Sequence, residues 1–259
     1  MDLRISGRTA LVCGSSRGMG FACAQALAEA GVNVVINGRD AASLAEAHDT
    51  LRAIATGTVG MAPGDVGTAE GRAAVLSVCP EPDILVNNSQ GPPPGQFDAW
   101  GEGEWHEALG RSMVAPILLI RATIDGMMER GWGRIVNITS SAVKAPLPLL
   151  GLSNGARSGL TGFIAGLSRE VAGRGVTINN ILPGRIETER LRSYVAKVAE
   201  DSGVDVETAR DRIMSANPMK RFGRSEEIGN LCAYLASEHA AYITGQNLLF
   251  DGGEYPGTL

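Results

Sequence analysis

The chain has no excess of positive charge. Its 259 residues carry 23 Lys and Arg against 28 Asp and Glu, a formal net charge of −5. A nucleic-acid partner would need a basic face, and no run of like charge supplies one. Cysteine is scarce too. Cys13, Cys23, Cys79 and Cys232 lie far apart, with no paired spacing for metal or redox work. Cys13 and Cys232 sit in apolar runs and read as buried thiols of a reducing cytoplasm. No apolar run reaches membrane-spanning length; Ile117 to Ile120 and Leu147 to Leu152 are far too short. The first residues, MDLRISGRTALVCG, lack the basic and apolar regions of a secretory leader. Repeats, low-complexity tracts and linkers are missing as well. Pro92-Pro93-Pro94-Gly95 is a stiff loop, too short to separate domains.

What is present is a 44% hydrophobic fraction, enough for one large core, and an alternating pattern. Strand-like runs at 9–13, 32–37, 58–62, 84–87, 134–138, 176–182 and 247–250 alternate with helical segments at 19–30, 41–55, 104–130 and 154–172. Such alternation predicts an α/β fold: seven parallel strands in doubly wound order, helices on both faces, one domain over 1–259. A substrate-rim segment is expected at about 186–220.

The strongest local motif is Gly14-Ser15-Ser16-Arg17-Gly18-Met19-Gly20, between a strand and a helix. Glycines let the backbone approach a pyrophosphate, and the helix N-terminus offers free N–H groups. The second strand ends at Asn37-Gly38-Arg39. An NAD site would place a carboxylate there for the ribose hydroxyls. Gly38 stands at that point, and Arg39 and Arg17 can clamp a 2′-phosphate. NADP(H) is therefore the expected cofactor. The competing reading is an ordinary Asn-Gly turn beside a solvated arginine.

The spacing Gly14-x-x-x-Gly18-x-Gly20 resembles the short-chain dehydrogenase/reductase family, and within it the 3-oxoacyl-carrier-protein reductase-like branch. The resemblance runs to the C-terminus. Asp65-Val66 is similar to the pair that contacts adenine. Asn87-Asn88-Ser89 is similar to N-N-A-G. Residues 133–140 resemble the strand that delivers the catalytic serine, here Ser140. Pro183-Gly184-Arg185-Ile186-Glu187-Thr188 is similar to the P-G-x-x-x-T segment at the nicotinamide end. The resemblance thus implies cofactor contacts from Gly14, Ser16, Arg17, Gly18, Met19, Gly20, Asn37, Arg39, Asp65, Val66, Asn88, Ser89, Pro183, Gly184, Ile186 and Thr188. It also implies a Rossmann-type fold, a cytoplasmic homo-oligomer (dimer or tetramer) and a small-molecule substrate.

One element of the family pattern is absent. The usual Tyr-x-x-x-Lys pair occurs nowhere in the chain. In register with the family, Ser153 takes the tyrosine position, Arg157 the lysine position and Ser112 the asparagine position; Ser140 alone is retained. Arg157 can bond a ribose, but it does not give up a proton. Lys144, shortly after Ser140, is the candidate substitute donor by position, although a solvated surface lysine is the commoner case. Arg185 could bind a carboxylate or be a surface residue. Three functions stay open: NADPH-dependent reduction of a small carbonyl or imine, non-redox lyase or isomerase chemistry, and cofactor binding without turnover.

Overall fold

The computed structural model describes residues 1–258. Seven strands form one parallel sheet in the order β3-β2-β1-β4-β5-β6-β7. They are β1 (Thr9–Val12), β2 (Asn33–Gly38), β3 (Val59–Pro63), β4 (Ile84–Asn87), β5 (Gly133–Ile138), β6 (Val176–Pro183) and β7 (Asn247–Phe250). The helices are α1 (Gly18–Glu29), α2 (Ala41–Arg52), α3 (Ala69–Val78), α4 (Glu102–Leu109), α5 (Ala115–Glu129), α6 (Gly151–Val171), α7 (Glu189–Ser202), α8 (Val206–Ala216) and α9 (Ser225–Leu235).

Strand alternation sorts the core onto two faces. Ala10, Val12, Ile84 and Val86 meet α1, α2 and α9 through Leu27, Leu44 and Ile228. Leu11, Leu85 and Ile135 meet α3, α5 and α6 through Val75, Leu119 and Leu160. All four cysteines are buried free thiols. The expected strands match closely. Helices α3, α7, α8 and α9 were not expected, and α7 and α8 close a small cluster of their own around Leu191, Val195 and Phe222.

Across the second face runs a ladder of amides. Asn87, Asn137, Asn180 and Asn247 sit in register on β4 to β7. Each side chain donates to the next: Asn87 to Asn137 at 2.9 Å, Asn137 to Asn180 at 2.9 Å, Asn180 to Asn247 at 2.8 Å. Removing an inner rung leaves two neighbours buried and unpaired. Asn137→Ala should therefore destabilise the fold by about 1–3 kcal/mol for each orphaned group. Denaturant unfolding checks this, and a loss below 1 kcal/mol in total would count against the ladder.

The expected single helix over 104–130 is two helices joined by a π-turn at Gly110–Val114, where the N–H of Ala115 bonds Gly110 O. Pro116 is the cause. It has no N–H, and its ring clashes with the carbonyl four residues back, that of Ser112. The extra residue turns Ser112 inward, where its hydroxyl is buried with no partner. The same turn presents Met113 to α6. Helix α6 carries glycines at 151, 155 and 159, one per turn. Their bare faces receive Trp100, Trp105 and Met113: a Cβ at these positions would lie 2.4, 3.0 and 2.7 Å from the three side chains.

Candidate active site

The site lies at the carboxyl ends of the strands, around the break between β1 and β4 where strand order reverses. After β1 the chain makes the glycine turn. Gly14 and Gly18 have φ of +57° and +61°, a region costly for other residues. At Gly20 a Cβ would fall 2.2 Å from Gly14 O, so the turn can close only on glycine. Asn88 locks it, donating through Nδ2 to Gly14 O at 2.9 Å. Ser15 ties the turn to β2, donating to Val12 O and accepting from the N–H of Asn37.

Helix α1 starts here without a side-chain cap and without an acid in its first turn. Helices α2, α3, α7 and α8 are capped by Asp40, Thr68, Thr188 and Asp205. The first N–H groups of α1, directly after the glycine turn, are thus free for an anion, which fits a dinucleotide pyrophosphate. Ser16 is half-buried beside Gly38, and Met19 packs on the core.

The two arginines expected at the 2′-phosphate have separate partners. Arg39 is exposed and donates to Gln90 Oε1 at 3.2 Å. Arg17 is exposed and pairs with Glu189 at 2.8 Å. No carboxylate stands at Gly38. Asn37 does not face the cleft: its Nδ2 donates to Ala62 O and Gly64 O, and its Oδ1 accepts from the N–H of Gly14. It holds the turn rather than reaching a ligand. Asp65 is likewise committed, to the N–H of Gly67 and to Arg111 at 3.0 Å. Burial pushes its pKa up, but those two partners outweigh it and hold the carboxyl below its usual range. Val66 is half-buried against the core.

On the far wall, Pro183 ends β6, and a Cβ at Gly184 would lie 2.8 Å from that of Asp251. The side chain of Ile186 is in the core, so only its backbone faces outward. Thr188 caps α7 and stands opposite Gly18, whose Cβ would lie 3.9 Å from Thr188 Cγ2. Arg185 pairs with Glu254, so it is not the open carboxylate binder that its position suggested.

The residues expected at the reacting centre come together where β5 and α6 meet. Ser140 caps the short turn after β5, its Oγ accepting from the N–H of Ala142. Ser153 and Arg157 share the inner face of α6, one turn apart, and both are buried. Arg157 Nε donates to Ser153 Oγ at 3.2 Å, Nη1 to Ile138 O at 2.8 Å and Nη2 to Ser89 O at 3.2 Å. Because Ser153 accepts from Arg157, its own hydrogen is free to donate. Burial, and then the like charge of Arg190, pull the Arg157 pKa down to about 10, so it stays cationic at neutral pH. Lys144 is not drawn into this pair. It is half-buried at the end of the turn, with no side-chain hydrogen bond or ion pair among the described residues.

Residues 14–254 match the model of the family described as enoyl-(acyl carrier protein) reductase. The chain is 33% identical over 254 residues to the NADPH-dependent reductase BacG of Bacillus subtilis, covering 96% of this chain and 98% of that protein. The chain belongs to the short-chain dehydrogenase/reductase family. This short-chain dehydrogenase/reductase is also 34% identical to the 3-oxoacyl-[acyl-carrier-protein] reductase of Vibrio cholerae, over 98% of this chain and 99% of that one. It superposes with a TM-score of 0.93 on the L-sorbose reductase of Gluconobacter frateurii, solved with NADPH and L-sorbose. That match has 30% identity and covers 99% and 100% of the two chains. Sequence reasoning missed Arg111 and Arg190 at this site. Pro116 was the available signal for the turn that carries Arg111.

Proposed function

We propose that this short-chain dehydrogenase/reductase is an NADPH-dependent oxidoreductase that reduces a small carbonyl or imine compound. Ser140, Ser153 and Arg157 would form its reacting centre in place of the usual tyrosine and lysine. The Arg157–Ser153 bond carries the reading, since it leaves a serine hydrogen free beside a fixed positive charge. NADPH as cofactor is supported by the uncapped start of α1, by the Arg17–Arg39 corner, and by relatives named as NADPH-dependent.

Bound NADPH supplies a hydride to the substrate carbon. Ser140 and Ser153 hydrogen-bond the oxygen as it gains charge, and Arg157 stabilises that charge through Ser153. The proton that completes the alcohol comes from solvent, because neither an aliphatic hydroxyl nor a guanidinium gives one up readily. An iminium arrives already protonated and needs none. Ser112, with its unpaired buried hydroxyl on the π-turn, takes the place of the supporting asparagine.

The test is NADPH oxidation across ketones, aldehydes, quinones and imines. Stoichiometric oxidation is expected with at least one class. Substrate turnover with the cofactor unchanged would mean lyase or isomerase chemistry, and no turnover at all would mean a binding protein.

The same reading expects a dimer or tetramer built on α5 and α6. A Cβ added at Gly162 or Gly166 would meet nothing within 4 Å beyond its own helix, and Val114 and Phe163 are exposed large apolar side chains. Light scattering at micromolar concentration should give a multiple of 27.0 kDa; a monomer would refute the assembly.

A further inference from the structure

Helix α7 opens with Glu189 and Arg190, directly after its cap. Arg190 reaches back across the cleft and donates through Nη2 to Pro92 O at 3.1 Å. Arg157 donates to Ser89 O on the same loop. Between these carbonyls lies Gly91. A Cβ there would sit 2.7 Å from Arg190 Nη1 and 3.2 Å from Nη2 of both arginines, so the two guanidinium groups flank a single residue.

No carboxylate answers them. Among the described residues, neither Arg157 nor Arg190 has an ion pair. The acids next to Arg190 in sequence are taken: Glu189 by Arg17, and Glu187 by Arg192 and Arg210. Two like charges beside each other, one of them buried, are costly without a counter-ion. A bound anion removes that cost. Arg157 has two N–H groups left after its three bonds, and Arg190 has four left after its one, so a bidentate fork is available.

We propose that Arg190, backed by Arg157, binds the carboxylate of the substrate, which makes the substrate a short oxo acid or its imine. This rests on the reductase reading of the site. The position decides between substrate and cofactor. On that reading the start of α1 and Arg39 take the phosphates. Gly91 instead lies beside Arg157, which also holds the Ser153 hydroxyl. Arg157 links the two positions, with its Nε on the Ser153 hydroxyl and its Nη2 beside Gly91, so a carbonyl and a carboxylate held there lie close together, as in a 2-oxo or 3-oxo acid.

The test titrates NADPH-loaded protein with pyruvate and acetoacetate, and with their methyl esters, by calorimetry. The acids should bind more tightly than the esters. Arg190→Met should weaken acid binding by on the order of 10–100-fold, the worth of hydrogen bonds to a charged group. Arg190→Lys should recover part of it. Binding is read without turnover, so this result stands or falls apart from the redox assay. Equal affinity for acids and esters in the unmodified protein, or no binding of either acid, overturns the proposal. So does an Arg190→Met variant whose NADPH affinity falls as far as its acid affinity, since the arginine would then serve the cofactor.

Discussion

Ser153→Tyr combined with Arg157→Lys should raise NADPH-dependent reduction of a generic diketone by roughly 10²–10⁴-fold, the usual contribution of a positioned general acid. A phenol has a pKa of about 10 and is tuned toward neutrality by an adjacent cation; a serine hydroxyl is far weaker. Both changes are needed together. Tyrosine beside the present arginine would contend with a guanidinium already bonded to Ile138 O and Ser89 O. Lysine alone would stand beside a serine that cannot donate. The obstacle is volume, because Ser153 is buried and Leu152 beside it is buried as well. Leu149, half-buried on the rim with φ of +64°, is the residue to trim to alanine if the double variant is poorly folded. Steady-state rates before and after the double change are the measurement. Fast diketone turnover by the unmodified protein, abolished by Ser153→Ala, would show that serine suffices as the acid.

Arg39→Ala should weaken NADPH binding roughly 10–100-fold and leave NADH nearly untouched, because a hydrogen bond to a charged phosphate is worth about 1.5–3 kcal/mol. The side chain is exposed, and Gln90 is its one polar contact, so little is lost from the fold itself. Gly38→Asp should move preference toward NADH by placing a carboxylate where the 2′-phosphate would sit. Its Cβ would meet Ser16 at 3.3 Å and Leu44 at 3.4 Å, so those side chains must give by a few tenths of an ångström. Fluorescence titration of both cofactors reads the two variants. Equal affinity for NADPH and NADH in the unmodified protein would refute the assignment.

The contrast between Arg39 and Arg190 marks the limit of what the chain says in one dimension. Arg39 is a candidate because it follows a strand directly after a residue that would otherwise be acidic. Its role depends on local order alone. Arg190 is also near a motif, two residues after Thr188, but its meaning depends on which loop it reaches across to.

Alternation of β-branched runs with helical segments determined the parallel sheet, since strands covered on both faces must be apolar along their length. The glycine turn determined its own place after β1, because only glycine closes it. The absence of a Tyr-x-x-x-Lys pair is likewise a property of the sequence. Tertiary structure decided which polar side chains serve the fold. Asn37 and Asp65, expected at the cofactor, are bonded to Gly64 O and Arg111, groups remote in sequence. The amide ladder exists only because four strands register side by side. The unpaired charge at Gly91 arises because α7, α6 and the loop after β4 converge there. Short-range steric rules act along the chain and can be read from it. Hydrogen bonds and charges act through space, and their partners are chosen by the packing.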